Sequence, residues 1–241
     1  MNEQIQALQR MVDASRHIVF FGGAGVSTES GIPDFRSVDG LYHQQFAYPP
    51  EEILSHDFYL QHPEAFFAFY RAKMVAPNAQ PNAAHRKLAQ MERAGKLDCV
   101  ITQNIDGLHQ MAGSRRVLEL HGSVQRNHCM RCGRAYGIAD VLRAQHVPRC
   151  SCGGVIKPDV VLYGEYLDDG VLAAARRAVR QADLLMVGGT SLEVQPAAGL
   201  VCDYRGERLV LINKSATRMD ALARLHIMDA IGVVLGQLRI D

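Results

Sequence analysis

The 241-residue chain has no tryptophan, only five lysines and no apolar run approaching the ~20 residues that cross a bilayer. Met1 to Arg10 carries Glu3 and several glutamines where a secretory signal would place a greasy stretch, so no membrane partner is expected and the expected location is cytoplasmic. Neither sign of charge is in excess. Its 26 Lys+Arg face 25 Asp+Glu for a formal net charge of +1, which gives no support to a global nucleic-acid footprint. The bias of 21 Arg over 5 Lys reads as composition and not as a binding signal. Internal repeats and low-complexity tracts are also missing. With 48% apolar residues the chain is long enough to bury a full core, which excludes disorder and fits one domain, or one domain with a small insert.

Ile5, Leu8, Met11 and Val12 share one helical face, and the next segment, Ile18 to Phe21, is a continuous apolar run stopped by Gly22-Gly23. The same buried-strand pattern recurs at Cys99 to Thr102, Leu184 to Val187 and Leu209 to Ile212, with helical stretches such as Pro81 to Ala94 and Val171 to Ala182 between. Strands apolar on both faces and alternating with helices predict an α/β fold, a parallel sheet covered by helices. Ligands of such sheets sit beyond the carboxyl ends of the strands, where this sequence puts its glycines and polar residues. Two segments break the alternation. Aromatics at helical spacing between Gly40 and Gln80 predict a small helical insert, and Arg126 to Gly154 holds four of the six cysteines.

Those four, Cys129-x-x-Cys132 and, after 17 residues, Cys150-x-Cys152, pair as two knuckles of one tetrahedral zinc site. The second knuckle is one residue tighter than the commoner C-x-x-C. Four unconnected or disulfide-bonded cysteines fit a cytosolic chain less well. A closed four-sulfur site leaves no position for substrate, so the zinc is structural. Arg126, Arg131, Arg134, Arg143 and Arg149 surround it, and a solvated basic face is the ordinary explanation, so no specific nucleic acid is expected. Cys99 and Cys202 read as core residues.

Gly22-Gly23-Ala24-Gly25 after the first strand allows close approach of a pyrophosphate at a helix N-terminus. The usual G-x-G-x-x-G fails at Thr28, and no acid ends a strand about 20 residues on, so the turn points to a nucleotide but away from ordinary hydride transfer. Pro33-Asp34-Phe35-Arg36, Gln103-Asn104-Ile105-Asp106 and His121-Gly122 add polar groups close behind predicted strands.

The ordered set from Gly23-Ala24-Gly25 through Phe35-Arg36, Gln103-Asn104-Ile105-Asp106, His121-Gly122, the four cysteines and Gly189-Thr190-Ser191 closely resembles the sirtuins, and most of all their bacterial NAD-dependent protein deacetylases. The resemblance implies a Rossmann-type parallel sheet with helices on both faces, formed by residues 1–39, 81–125 and 155–241. It further implies a small domain made of a helical module, residues 40–80, and a zinc ribbon, residues 126–154. NAD, consumed as co-substrate, and an acetyl-lysine or acyl-lysine protein substrate would meet in the cleft between them.

Carried over residue by residue, Ala24, Thr28, Phe35 and Arg36 would line the NAD site. Gln103 and Asn104 would address the nicotinamide ribose, and Ile105 and Asp106 the nicotinamide carboxamide. Thr190, Ser191 and Asn213 would contact the adenosine half, with Asp229 or Ala230 closing over the adenine. His121 and Asn104 are the implied catalytic residues, His121 as base toward a ribose hydroxyl. Val160, Val161, Tyr163, Gly164, Glu165 and Val194 would line the substrate site, with extended backbone here and around Leu192 to Val194 flanking the peptide. Tyr163 stands where the family usually has Phe, an exchange that keeps the ring. The Tyr-x-x-Arg with which some sirtuins select acidic acyl groups is incomplete, Ala68 preceding Arg71, which predicts a preference for acetyl or other neutral acyl groups. Mono-ADP-ribosyl transfer and a non-catalytic NAD-sensing zinc protein are the alternatives; the intact polar set favours catalysis.

Overall fold

The computed structural model describes residues 2–35, 40–44 and 46–240. Six strands, β1 (Ile18–Gly22), β2 (Leu97–Thr102), β3 (Val117–Glu119) and, after three others, β7 (Leu184–Gly188), β8 (Leu209–Ile212) and β9 (Leu225–Ile227), form one sheet. All its pairings are parallel, in the order β3-β2-β1-β7-β8-β9. The expected α/β sheet is therefore present. Its order reverses between β1 and β7, which opens a crevice beyond the carboxyl ends of those two strands.

Strand alternation assigns each side chain to a face. Ile18, Phe20, Leu184, Met186, Val210 and Ile212 pack on one side with Leu8, Leu88 and Leu235. Val19, Phe21, Leu185, Val187 and Leu211 pack on the other with Val179, Ala198 and Val201. Helix Glu3–Asp13 presents Ile5, Leu8 and Val12 to the first core. Helix Ala83–Arg93 starts where the Asn82 side chain accepts from the Ala84 and His85 N–H groups and the His85 ring closes a reciprocal capping box. Helix Asp169–Gln181 starts at Asp168, whose carboxylate accepts from Val171 N–H.

The remaining strands, β4 (Gly122–Cys129), β5 (Ala135–Gly137) and β6 (Ile156–Val160), form an antiparallel sheet in the order β5-β4-β6. Helices Pro50–Ile53, His56–Gln61 and Pro63–Phe69, the last running into a wider π turn at Tyr70–Met74, lie in the segment expected to be helical. Phe58, Phe66, Phe67 and Tyr70 share one core with Val124, Cys129, Val141, Cys150, Ile156 and Val160. Two inserts distant in sequence are thus one packed body. Cys202 departs from its expected place in the core: it is exposed on the 3-10 turn Ala197–Asp203, while Cys99 is buried in β2.

His109, in the short helix Leu108–Met111, faces His85 with ring centroids 4.7 Å apart, both rings buried. Burial lowers His85 to about 4, with Arg86 adding to the effect, and His109 to about 3, with His85 adding. The unfolded chain protonates both near pH 6.5 and the native protein does not, so stability falls as pH drops from about 6.5 toward these values. Between pH 7 and 5 each histidine is expected to remove ~2 kcal/mol. Urea midpoints at the two pH values check this: His109→Leu should shrink the fall by one histidine's share, and an unchanged fall would refute it.

Candidate active site

At the crevice, Gly25 N–H donates to Gly189 O (2.8 Å) and Gly23 N–H to Gly188 O (3.3 Å), which joins the turns after β1 and β7. The approach needs glycine: a Cβ on Gly25 would lie 2.8 Å from Gly189 Cα. The segment beyond is not the expected helix but two short 3-10 turns, Ala24–Val26 and Thr28–Ser30, ended by Gly31 at φ 81°. Thr28 Oγ1 donates to Gly25 O (3.0 Å), so the turn is closed by its own hydroxyl and the axis of a long helix dipole is missing. Phe35 packs on the small body's core, and Arg36 lies outside the described residues.

The strand ends after β2 and β3 converge. Asn104 Nδ2 donates to Ser27 Oγ (3.0 Å), and Ser27 Oγ donates to Asp106 Oδ2 (2.6 Å). Asp106 Oδ1 accepts from Leu108 N–H (2.9 Å). Burial raises the Asp106 carboxyl above its ordinary value, against the pull of these three donors. Ser27, which sequence reasoning left unassigned, lies inside the glycine turn, and only the fold brings it to Asn104 and Asp106.

His121 Nδ1 lies 2.9 Å from Gln103 O. A carbonyl only accepts, so Nδ1 carries the proton and Nε2 keeps its lone pair. Burial lowers the His121 pKa below 6.5, opposed by that hydrogen bond, so the ring is neutral at pH 7. The next residue, Gly122, has φ 74°, and a Cβ there would collide with the Asp159 carbonyl oxygen. Only glycine lets β4 leave His121 while β6 lies alongside it.

Toward β8, Gln103 Nε2 donates to Thr190 Oγ1 (2.9 Å) and Thr190 N–H to Asn213 Oδ1 (3.0 Å). Asn213 Nδ2 is buried with no hydrogen-bond partner among the described residues. Ser191 is exposed; Asp229 and Ala230 follow β9, where the Asp229 carboxylate accepts from Ala230 N–H (2.7 Å).

On the other flank, Val161 N–H donates to His121 O (3.0 Å), which ties the segment after β6 directly to the histidine. Tyr163 is clamped to the helical segment, its N–H donating to Leu54 O and its carbonyl accepting from His56 N–H, each 2.9 Å. Gly164 follows at φ 88°, and Val160 ends β6, buried. Both Glu165 oxygens are engaged: Oε2 accepts from Leu162 N–H (2.9 Å) and Lys157 Nζ (3.2 Å), and Oε1 lies 2.8 Å from His56 Nδ1. Burial raises the Glu165 carboxyl, but Leu162 N–H, His56 and Lys157 outweigh it and hold the group low. Lys157, buried in β6, completes a brace that its spacing in the sequence did not disclose. Val194 is half-buried on an irregular segment, and Leu192 is buried at φ 57°, so this stretch is not the extended strand expected.

Cys129, Cys132, Cys150 and Cys152 bring their sulfurs within 4.8 Å of one another, with Cys129–Cys152 at 3.5 Å and Cys132–Cys150 at 3.6 Å. Tetrahedral zinc with Zn–S bonds of ~2.3 Å needs sulfurs about 3.8 Å apart, so the set fits. Arg131 N–H and Cys152 N–H point at the sulfurs of Cys129 (3.4 Å) and Cys150 (3.5 Å), which favours thiolates.

Comparison with known proteins is consistent throughout. The sequence pattern described as the Sir2 family matches residues 23–196. The chain is 55% identical to an NAD-dependent protein deacetylase of Clostridium perfringens, over 98% of this chain and 99% of that one. A second such deacetylase, from Clostridium acetobutylicum, is 55% identical over 97% of each chain. Among solved structures, a Sir2 complex with a deacetylated p53 peptide and 3'-O-acetyl ADP-ribose superposes with a TM-score of 0.89 at 37% identity, covering 96% of both chains. A Sir2 complex with a p53 peptide and NAD+ gives 0.86 at 38% identity, covering 98% of this chain and 96% of that one.

Proposed function

The chain belongs to the Sir2 family, and from that premise we propose that it is an NAD-dependent protein lysine deacetylase that releases nicotinamide and passes the acetyl group to ADP-ribose. The observation that carries the reading is a half-buried, neutral His121 whose Nε2 keeps its lone pair, within the same strand-end cluster as Asn104, Ser27 and Asp106.

The crevice fits a dinucleotide on its own chemistry. Asn213 Nδ2 is a buried donor with no partner among the described residues, and glycine at 23 and 25 lets the turn after β1 pack against Gly189 and Thr190 at the rim of the crevice. Ala24, Thr28, Phe35 and Arg36 would line the NAD site, with Gln103 and Asn104 at the nicotinamide ribose. Thr190, Ser191, Asn213 and Asp229 or Ala230 would hold the adenosine half. Asp106, whose charge is costly where it is buried, gains from accepting the amide donors of a carboxamide, with Ile105 beside it. Bound NAD supplies a ribose carbon with a neutral leaving base, open to the acyl oxygen. His121 accepts a hydroxyl proton at Nε2, and Gln103 O steadies the imidazolium through Nδ1–H. The Phe35 ring excludes water from that sugar.

The substrate is an acetylated protein read mainly through its modified lysine, with Val160, Val161, Tyr163, Gly164 and Val194 along its path. The four cysteines hold one structural zinc. Arg71 supports the preference for neutral acyl groups: its guanidinium donates to His146 O (3.0 Å) and Gln145 O (3.4 Å), on the zinc-binding segment. Mass spectrometry of matched acetyl- and succinyl-lysine peptides, with and without NAD, tests the reading. Acetyl loss only with NAD, with acetyl-ADP-ribose appearing and succinyl removed more slowly, is expected. Intact peptides from protein that binds NAD would overturn it in favour of ADP-ribosyl transfer or NAD sensing, and faster succinyl loss would overturn the acyl preference alone.

A further inference from the structure

The Tyr163 hydroxyl is not needed to line the acyl-lysine path, since a phenylalanine ring would do that. In this chain it lies 2.6 Å from the Tyr42 hydroxyl, across 121 residues of sequence. Each phenol is fixed from behind. Tyr163 has its N–H on Leu54 O and its carbonyl under His56 N–H. Tyr42 donates its own N–H to Phe35 O (2.9 Å) and rests its ring on Phe35, centroids 5.5 Å apart, while the neighbouring Leu41 N–H donates to Asp34 O (2.9 Å). A hydrogen bond between two groups already held in place gives up little side-chain freedom on forming, so it transmits position well although Tyr163 is 39% exposed.

The pair closes a continuous path. From Phe35 it runs through the Tyr42 backbone and phenol to the Tyr163 phenol. It then follows the chain to Val161, whose N–H is on His121 O. One end is the aromatic ring expected over the cofactor sugar and the other is the catalytic histidine. The segment between them is the one expected to flank acyl-lysine.

We propose that Tyr42 is a positioning residue, and that its hydrogen bond to the Tyr163 hydroxyl couples occupancy of the acyl-lysine site to the placement of Phe35 at the NAD site. The inference rests on the deacetylase reading. Coupling of this kind is reciprocal: acyl-lysine tightens NAD binding by the factor by which NAD tightens acyl-lysine binding. A partly exposed phenol pair is worth about a two- to fivefold effect.

Tyr42→Phe, Tyr163→Phe and the double variant test it, each keeping its rings. Two readouts are needed. The first is amide exchange by NMR at Leu41 and Tyr42, with acetyl-lysine peptide added and NAD omitted. Peptide should slow both amides in the wild-type protein, and the slowing should shrink about two- to fivefold in either single variant. The second is steady-state deacetylation by Tyr42→Phe, in which KM for NAD should rise by that factor while kcat stays within about twofold. The double variant should be no worse than either single, because both remove one shared bond. Peptide that slows neither amide in the wild type, slowing equal in wild type and variants, a kcat loss in place of a KM rise, or additive effects in the double would each overturn the coupling. A wild-type protein that deacetylates nothing would overturn the deacetylase reading instead, and the exchange measurement would still decide whether the phenol pair transmits peptide binding.

Discussion

His121→Ala is expected to lower kcat/KM for NAD-dependent deacetylation by about two to four orders of magnitude, the range for removal of a general base. Alanine leaves Gln103 O without its ring partner and removes the only acceptor assigned to the ribose hydroxyl proton, while Val161 keeps its bond to the backbone carbonyl of residue 121. NAD and zinc binding should persist. The pH profile carries the sharper information. Burial lowers the His121 pKa, and its hydrogen bond to Gln103 O only partly restores it. The base form therefore fills from below pH 6.5 upward, and kcat/KM of the wild-type enzyme should rise through an acid limb whose midpoint is under 6.5. A midpoint at or above 6.5, or a variant within tenfold of wild type, would remove His121 from the base role. The acid limb must be read from initial rates, since the buried His85–His109 pair destabilises the fold over part of the same range.

Much of this architecture is legible in the chain because the signals are local. β1, β7 and β8 are buried on both faces and read as unbroken apolar runs, and the order of strands and helices then dictates a parallel sheet. The zinc knuckles are legible because the ligands of each pair have only one or two residues between them. Illegible features depend on distant partners. β3 and β9 have three residues each, too few to show a period. Ser27 joins the strand-end cluster only through Asn104 and Asp106, some eighty residues away. Lys157 reads as a surface charge in any window of sequence, yet it is buried because Glu165 folds back on it. The segment after Gly23 forms 3-10 turns in place of the expected helix because Thr28 Oγ1 and the left-handed Gly31 close them, effects of single residues and not of a pattern.

Stripping the metal is expected to abolish deacetylation although no cysteine lies among the reacting groups. Structural zinc contributes on the order of 10 kcal/mol to folding of small metal-bound modules, more than the stability of most domains. In this protein that energy is not confined to a knuckle. Cys129 and Cys150 are members of the core that also contains Phe66, Phe67, Tyr70 and Val160, so loss of the metal loosens the helices of residues 50–74 together with β4 and β6. From β6 the disturbance reaches Val161, whose N–H holds the His121 carbonyl, and Tyr163, which holds Leu54 and His56. The parallel sheet has two cores of its own, to which no zinc-ligand cysteine contributes. Chelation at neutral pH, or Cys150→Ser, should therefore open residues 46–80 and 122–165 to protease while the parallel-sheet segments resist, with activity lost in step with zinc content. Activity that survives complete zinc removal would show that the antiparallel sheet stands on its apolar core alone. Uniform digestion of the whole chain would show that the two bodies do not fold as separable units, and the path from zinc to His121 would then be global unfolding instead of β6.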